Sequence, residues 1–179
     1  MKHGMVFALI AMALLGRVLP HPDNFTPMLA VALFGGAMLS GGPAYVVPLL
    51  AMFASDLALG HSFGWMTLVI YSCFLIGVGL GQWLGKNRTS ARTGLAMLCG
   101  SLLFYVITNF AVWILPDSQH TVGLYPRTLD GLIQCYWMAL PFFRNSLAGD
   151  LFWTAMLFGV FDLMQSRMKG QVSVHQKVV

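Results

Sequence analysis

The stretch at residues 64–84 reads GWMTLVIYSCFLIGVGLGQWL and contains no Asp, Glu, Lys or Arg. A helix needs about 20 consecutive apolar residues to cross a hydrocarbon core of about 30 Å. Comparable apolar stretches occur at 4–19, 26–40, 44–59, 93–115 and 146–164. Residues 1–17 also have the pattern of a secretory signal peptide, but no small-residue cleavage site follows, so we expect a retained first helix. The sequence therefore predicts an all-α membrane protein, a bundle of six transmembrane helices in a single integral membrane domain at residues 1–179.

The composition indicates that lipid is the solvent of this chain. Only 9% of the residues are charged, 58% are hydrophobic and none is Glu, whereas soluble domains carry about 25% charged residues. The sequence has no metal-binding His spacing, phosphate loop, nucleophile elbow or nucleotide-binding motif. Several enzyme classes are therefore excluded, and the net charge of +4 indicates membrane topology and not nucleic-acid binding.

Basic residues fix the predicted topology because they are enriched in cytoplasmic loops. They cluster in the short segment 86–92 and in the tail from Arg167 onward. An even number of crossings must separate two cytoplasmic segments, so the apolar segment 128–143 is predicted to be re-entrant or interfacial, before the last helix. We expect a multi-pass protein of the bacterial inner (cytoplasmic) membrane with both termini in the cytoplasm.

The same topology gathers polar residues on the outer side, in loops or at nearby helix ends. They are His21, Asp23, Asn24, Asp56, His61, Asp117, His120, Arg127, Asp130, Arg144, Asn145 and Asp150. Ionisable groups near the membrane are candidates for function. Two readings stay open for Asp56 and Asp150, which either bind a substrate or pair with an arginine for structural reasons.

Helix four of the predicted bundle carries two further features. Gly77, Gly81 and Gly85 fall on one stripe, and small residues at this spacing let helix backbones approach closely in a bilayer. Cys73 lies near the middle of the same helix. A buried cysteine either packs as a small apolar residue or, as a thiolate facing a cavity, binds a transition metal.

Segments along nearly the whole chain resemble a family of small bacterial membrane proteins that are described only as transport proteins. The matching segments are 17–27 (RVLPHPDNFTP), 32–37 (ALFGGA), 55–56 (SD), 106–113 (VITNFAVW), 124–128 (LYPRT) and 140–150 (LPFFRNSLAGD). That family is similar to the S-components of energy-coupling-factor (ECF) vitamin transporters, six-helix proteins that bind a vitamin near the outer face. Within that group the chain resembles the solitary cobalamin-specific (BtuM-type) S-components, in which a helix-borne cysteine reaches the cobalt.

The resemblance implies uptake of a vitamin, with cobalamin or a related corrinoid as substrate and no permanently bound cofactor. The Cys73 thiolate would be an axial ligand of the corrinoid cobalt, and cobalt is the one metal expected. The thiolate would also displace an upper ligand of the cobalt such as cyanide, which is the one catalytic role considered. An apolar wall would include Phe25, Trp65, Phe74, Trp113 and Trp137. The substrate-binding residues would be Cys73, His21, Asp23, Asn24, Phe25, Asp56, His61, Tyr125, Arg127, Arg144 and Asp150.

The expected partners are a small-molecule vitamin, the lipid bilayer and an energising ATPase module, or no module if the protein is solitary. Only Gly4 and Ala8 match the small-residue pattern that S-components use on helix one to dock that module. Two alternatives to cobalamin uptake stay open. One is an S-component for a different small nutrient, in which Cys73 only packs, and the other is a structural membrane protein or an intramembrane enzyme.

Overall fold

The computed structural model describes residues 2–115 and 125–178, and the side chains within 4–115 and 125–168. This part of the chain contains six helices and no strand. They are α1 (Lys2–Val18), α2 (Met28–Met38), α3 (Gly42–Ala58), α4 (Trp65–Lys86), α5 (Ser90–Ile114) and α6 (Leu129–Val178). The predicted all-α class is confirmed.

Three of these helices are long and apolar enough to cross a membrane: α4, α5, and α6 over Leu129–Met168. The other three are apolar and shorter. With 11 residues, α2 extends over only about 16 Å at 1.5 Å per residue. The three long helices indicate that the protein associates with a membrane.

Helix α2 lies at the centre of the bundle and contacts all five other helices. Its residues from Met28 to Gly36 are all buried. A helix that is apolar on every side is buried by other helices or by lipid, and here the other helices bury α2. The hydrophobic core is therefore built around α2, with Leu33 and Val78 among its fully buried side chains.

The close contact between α2 and α4 depends on glycine. A Cβ atom at Gly81 would overlap the Leu33 carbonyl oxygen, and one at Gly36 would overlap the Val78 carbonyl oxygen. At Gly85 the added atom would lie 2.7 Å from the Ala37 carbonyl oxygen. The predicted packing role of the glycine stripe is confirmed, with α2 as the partner.

Helix α6 is one continuous helix over Leu129–Val178, whereas the sequence predicted separate segments at 128–143 and 146–164. The prediction used Arg144 as a boundary, but the Arg144 side chain is exposed and a long arginine side chain can extend toward water without interrupting its helix. Pro141 lies inside α6; it removes one backbone donor but does not end the helix. The segment 128–143 is thus almost entirely the first part of α6.

Helix α6 packs antiparallel to α5. The Tyr136 hydroxyl donates to the Val106 carbonyl oxygen at 2.7 Å, toward the C-terminal end of α5. At the other end, Arg88 in the α4–α5 loop forms an ion pair with Asp162. The Asp162 hydrogen bond raises the pKa of Arg88, and the guanidinium is charged at any accessible pH.

The polar loops collect at one end of the bundle, which we call the site end. The last turn of α1 there meets the end of α3, where Arg17 contacts Asp56, and the loop from Leu59 to Gly64 leads into α4. The Arg88–Asp162 pair lies at the opposite end. The fold therefore separates the basic α4–α5 loop from the loops that carry the candidate site residues.

Candidate binding cavities

Two adjoining cavities open near the site end. The α5–α6 cavity has a volume of about 370 Å³, and the Asp56 cavity, beside Arg17 and Asp56, has a volume of about 580 Å³. They share the lining residues Asn24, Thr26, Met66, Ile70, Phe74 and Phe104. Both volumes fall in the range of about 300–1,000 Å³ that is typical of small-molecule sites.

The α5–α6 cavity lies between one face of each helix. Residues three or four apart share a helix face, and the lining residues follow that spacing. From α5 they are Ser101, Phe104, Tyr105, Thr108, Asn109 and Val112. From α6 they are Ala139, Phe142, Phe143, Ser146 and Asp150.

Asp150 is the buried acidic group of the α5–α6 cavity, with 8% of its surface exposed. The Ser101 hydroxyl, itself 2% exposed, donates to Asp150 Oδ2 at 2.5 Å. Within the side chains that the structure describes, no Lys, Arg or His forms an ion pair with Asp150. The predicted arginine partner of Asp150 is therefore not found in this part of the chain.

Aromatic rings form much of the remaining wall. The rings of Phe74 and Phe104 have centroids 5.6 Å apart, and those of Tyr105 and Phe143 are 4.6 Å apart. These are the separations at which aromatic pairs attract each other. Apolar faces thus surround a small number of polar groups, as in most ligand pockets.

The Asp56 cavity contains a network of hydrogen bonds around one ion pair. Arg17 Nη1 lies 2.8 Å from Asp56 Oδ1 and also donates to Ser55 Oγ at 2.6 Å. The Tyr71 hydroxyl donates to Asp56 Oδ2 at 2.8 Å, and His61 Nδ1 lies 3.3 Å from Asp56 Oδ1. Both carboxylate oxygens of Asp56 therefore have partners, and its predicted pairing with an arginine is confirmed.

Four of the sequence-predicted substrate residues line a cavity: Asn24 lines both, Asp56 and His61 line the Asp56 cavity, and Asp150 lines the α5–α6 cavity. The others named in the prediction line neither cavity. They are His21, Asp23, Phe25, Cys73, Tyr125, Arg127 and Arg144. Asp117 and His120, also named from the sequence, lie outside the described residues.

Some residues of the predicted site and of the predicted apolar wall make local contacts. His21 Nε2 lies 3.2 Å from the Arg17 carbonyl oxygen, at the end of α1. The Phe25 ring packs 5.8 Å from the Phe152 ring. Trp113 donates to the Pro126 carbonyl oxygen at 3.0 Å. Of the predicted apolar wall, only Phe74 lines a cavity.

Cys73 is buried on α4 and is adjacent in sequence to Phe74, which lines both cavities. Cys73 can bind a ligand only if its thiol reaches the cavity, and otherwise it packs as a small apolar residue. No group of three or more His, Cys, Asp or Glu side chains among the described residues could hold a metal ion.

The sequence analysis missed several polar lining residues of the long helices. Ser101, Thr108 and Asn109 lie on α5, and Tyr71 lies on α4. The signal was available, since 101, 108 and 109 repeat at the period of one helix face inside an apolar stretch. Ser146 and Asp150 repeat one turn apart on α6 in the same way.

The fold and cavities define an α-helical protein with membrane-type helices and two adjoining cavities near one end of the bundle. Residues 1–173 match the group described as "Family of unknown function (DUF6580)", and the chain belongs to that family. No curated protein matches the chain, and no solved structure matches it.

Proposed function

We propose that this protein is a membrane-embedded binding protein for the uptake of a small organic nutrient across the bacterial inner membrane. In this proposal all six helices form the membrane domain, both termini are cytoplasmic and the site end faces outward. The observation that carries the proposal is the pair of adjoining cavities at the end opposite the basic Arg88 loop. A nutrient would enter from the outside between the loops at Asn24 and His61.

Binding is favoured over intramembrane catalysis by the arrangement of the two buried carboxyl groups. Asp56 lines one cavity, where Arg17 and Tyr71 occupy its oxygens. Asp150 lines the other. General acid and base groups must both reach the same reacting atoms, and these two groups do not share a cavity.

ATP-driven uptake would need a partner, because the sequence has no nucleotide-binding motif. An ATPase module that docks on the helix bundle is the partner that the resemblance to S-components implies. Passive, solitary uptake is the alternative, and growth of an uptake-deficient strain with and without such a module would separate the two.

Cobalamin is a second candidate substrate. The observation in its favour is that Cys73 is adjacent to Phe74, at the wall that the two cavities share. Adjacent residues lie about 100° apart around a helix, so the thiol would reach the cavity only after α4 rotated, and a cobalt ion there would favour the thiolate form. Titration of the purified protein with cobalamin tests this, since thiolate ligation shifts the visible bands and Cys73→Ala abolishes the shift.

The general proposal is tested by calorimetric titration of the protein in lipid nanodiscs with a panel of water-soluble vitamins, amino acids and amines. Ser146→Trp places a large side chain in the α5–α6 cavity, and Ala148→Trp places the same side chain on the exposed side of α6. We expect at least one compound to bind, with affinity lost in Ser146→Trp and retained in Ala148→Trp. Failure of the whole panel to bind, or equal affinity in both variants, would refute the proposal.

A further inference from the structure

Among the residues that the structure describes, Asp150 has no positively charged partner, although burial makes a charge costly at this position. It is nine-tenths buried and receives one hydrogen bond, from Ser101. None of the described residues that line its cavity is Lys, Arg or His. A carboxylate buried near the membrane interior is stable in its charged form only when another group compensates that charge. Otherwise the carboxyl group takes up a proton, so a cationic ligand in the cavity would stabilise the charged form of Asp150.

Asp56 is a buried carboxylate whose charge is compensated by protein side chains, and it can be compared with Asp150. Arg17, Tyr71 and Ser55 surround that site, with the guanidinium 2.8 Å from the carboxylate. The two acids therefore differ. Protein side chains occupy both carboxylate oxygens of Asp56, whereas Asp150 lines a cavity of about 370 Å³.

The walls around Asp150 suit a cation with an organic body. Five aromatic side chains line the cavity: Phe74, Phe104, Tyr105, Phe142 and Phe143. The face of an aromatic ring attracts a cation that lies within about 6 Å of its centroid. A strongly hydrated inorganic ion would gain little from such walls, because it needs several oxygen ligands in place of its water.

We infer that the nutrient carries a positively charged nitrogen, as an ammonium group or an N-alkylated aromatic ring, which pairs with Asp150 while aromatic side chains cover its apolar part. This inference deepens the proposed function and rests on it. The Ser101 hydroxyl orients the carboxylate, and the neighbouring Ser146 and Thr108 hydroxyls lie in the same cavity for further hydrogen bonds.

Benzylammonium and benzyl alcohol test the inference, because they have similar shapes and differ in charge. Binding to the full-length protein in nanodiscs is measured by calorimetry. We expect benzylammonium to bind at least tenfold more tightly than benzyl alcohol, and Asp150→Asn to remove that preference. Asp162→Asn is the matched control, since it removes an exposed carboxylate at the opposite end, and the preference should persist.

A second variant keeps the test decisive if Asp150→Asn does not fold. Phe143→Leu retains the carboxylate and removes one aromatic face, so it should weaken benzylammonium binding more than benzyl alcohol binding. Equal binding of the two probes to the unmodified protein would overturn the inference. So would a stabilisation by sodium chloride over potassium chloride that benzylammonium does not reproduce, because the site would then bind an inorganic ion.

The outcomes also separate this inference from the proposed function. If a neutral nutrient binds in the cavity and benzylammonium does not, the inference fails and nutrient binding stands. If benzylammonium binds through Asp150 but no nutrient of the panel binds and no uptake occurs, the cation site stands and the uptake function fails.

Discussion

The Arg17 guanidinium lies 2.8 Å from the Asp56 carboxylate and joins the end of α1 to the end of α3. Only 13% of the Arg17 side chain and 7% of the Asp56 side chain are exposed. Charges buried to this extent lose much of their hydration, and their mutual attraction offsets that loss only while both are present. The pair is thus a structural tie at the mouth of the Asp56 cavity.

Removal of one member should be costly. We expect Asp56→Ala to lower the free energy of unfolding by about 3–5 kcal/mol, because it leaves the buried Arg17 guanidinium without a negative charge beside it. Reversible unfolding in mixed micelles measures the effect. Asp162→Ala removes a half-exposed ion-pair partner and should cost about 1 kcal/mol or less. Equal losses in the two variants would show that the Arg17–Asp56 pair is effectively solvated.

The contact between α2 and α4 predicts a sharp contrast between neighbouring glycines. Gly81→Ala should destabilise the protein by about 1–3 kcal/mol, since the added methyl group overlaps the Leu33 carbonyl oxygen and forces the helices apart. At Gly79 a Cβ atom has nothing within 4 Å. Gly79→Ala should therefore be neutral or stabilise by up to about 1 kcal/mol through helix propensity. A loss of stability in both variants would show that α4 tolerates no substitution of glycine by alanine, and close packing at Gly81 would then not be the cause.

The site end should be reachable from outside the cell. A membrane-impermeant maleimide should label Asp23→Cys in intact cells and Asn87→Cys only after permeabilisation, because the two exposed positions lie at opposite ends of the bundle. The unmodified chain is the control, with Cys73 and Cys135 buried and Cys99 half-buried. Labelling of Asn87→Cys in intact cells would show that the proposed topology is inverted, and the proposed direction of uptake would then be wrong.

The helical class and the glycine contact could be predicted from the sequence because both depend on local periodicity. A run of apolar residues predicts a helix wherever it packs, and glycines four residues apart fall on one face whatever covers them. The partner of that face could not be predicted. It is α2, and only the three-dimensional arrangement shows that this short helix is central.

The candidate site was predicted less well, for two physical reasons. Arg127 and Arg144 are exposed, and composition alone does not separate an exposed polar residue from one that binds a ligand. Ser101 and Thr108 were overlooked because one hydroxyl in an apolar helix barely changes its hydropathy. Their spacing places them on one helix face, and the structure shows that Asp150 lies opposite that face.

Asn24 offers a way to separate the stability of the site from its binding function. It has φ of 62°, in the left-handed region that asparagine and glycine tolerate best, and its side chain lines both cavities. Asn24→Gly keeps this backbone conformation and removes the amide, so we expect a stability change within about 1 kcal/mol and a weaker affinity for the nutrient. Asn24→Ala should lose the same affinity and also about 1–2 kcal/mol of stability, because alanine is strained at positive φ. Calorimetric binding and micellar unfolding of both variants measure the two effects independently. Unchanged affinity in Asn24→Gly would mean that the loop residue serves only the turn before α2, and the binding surface would then be confined to the helices.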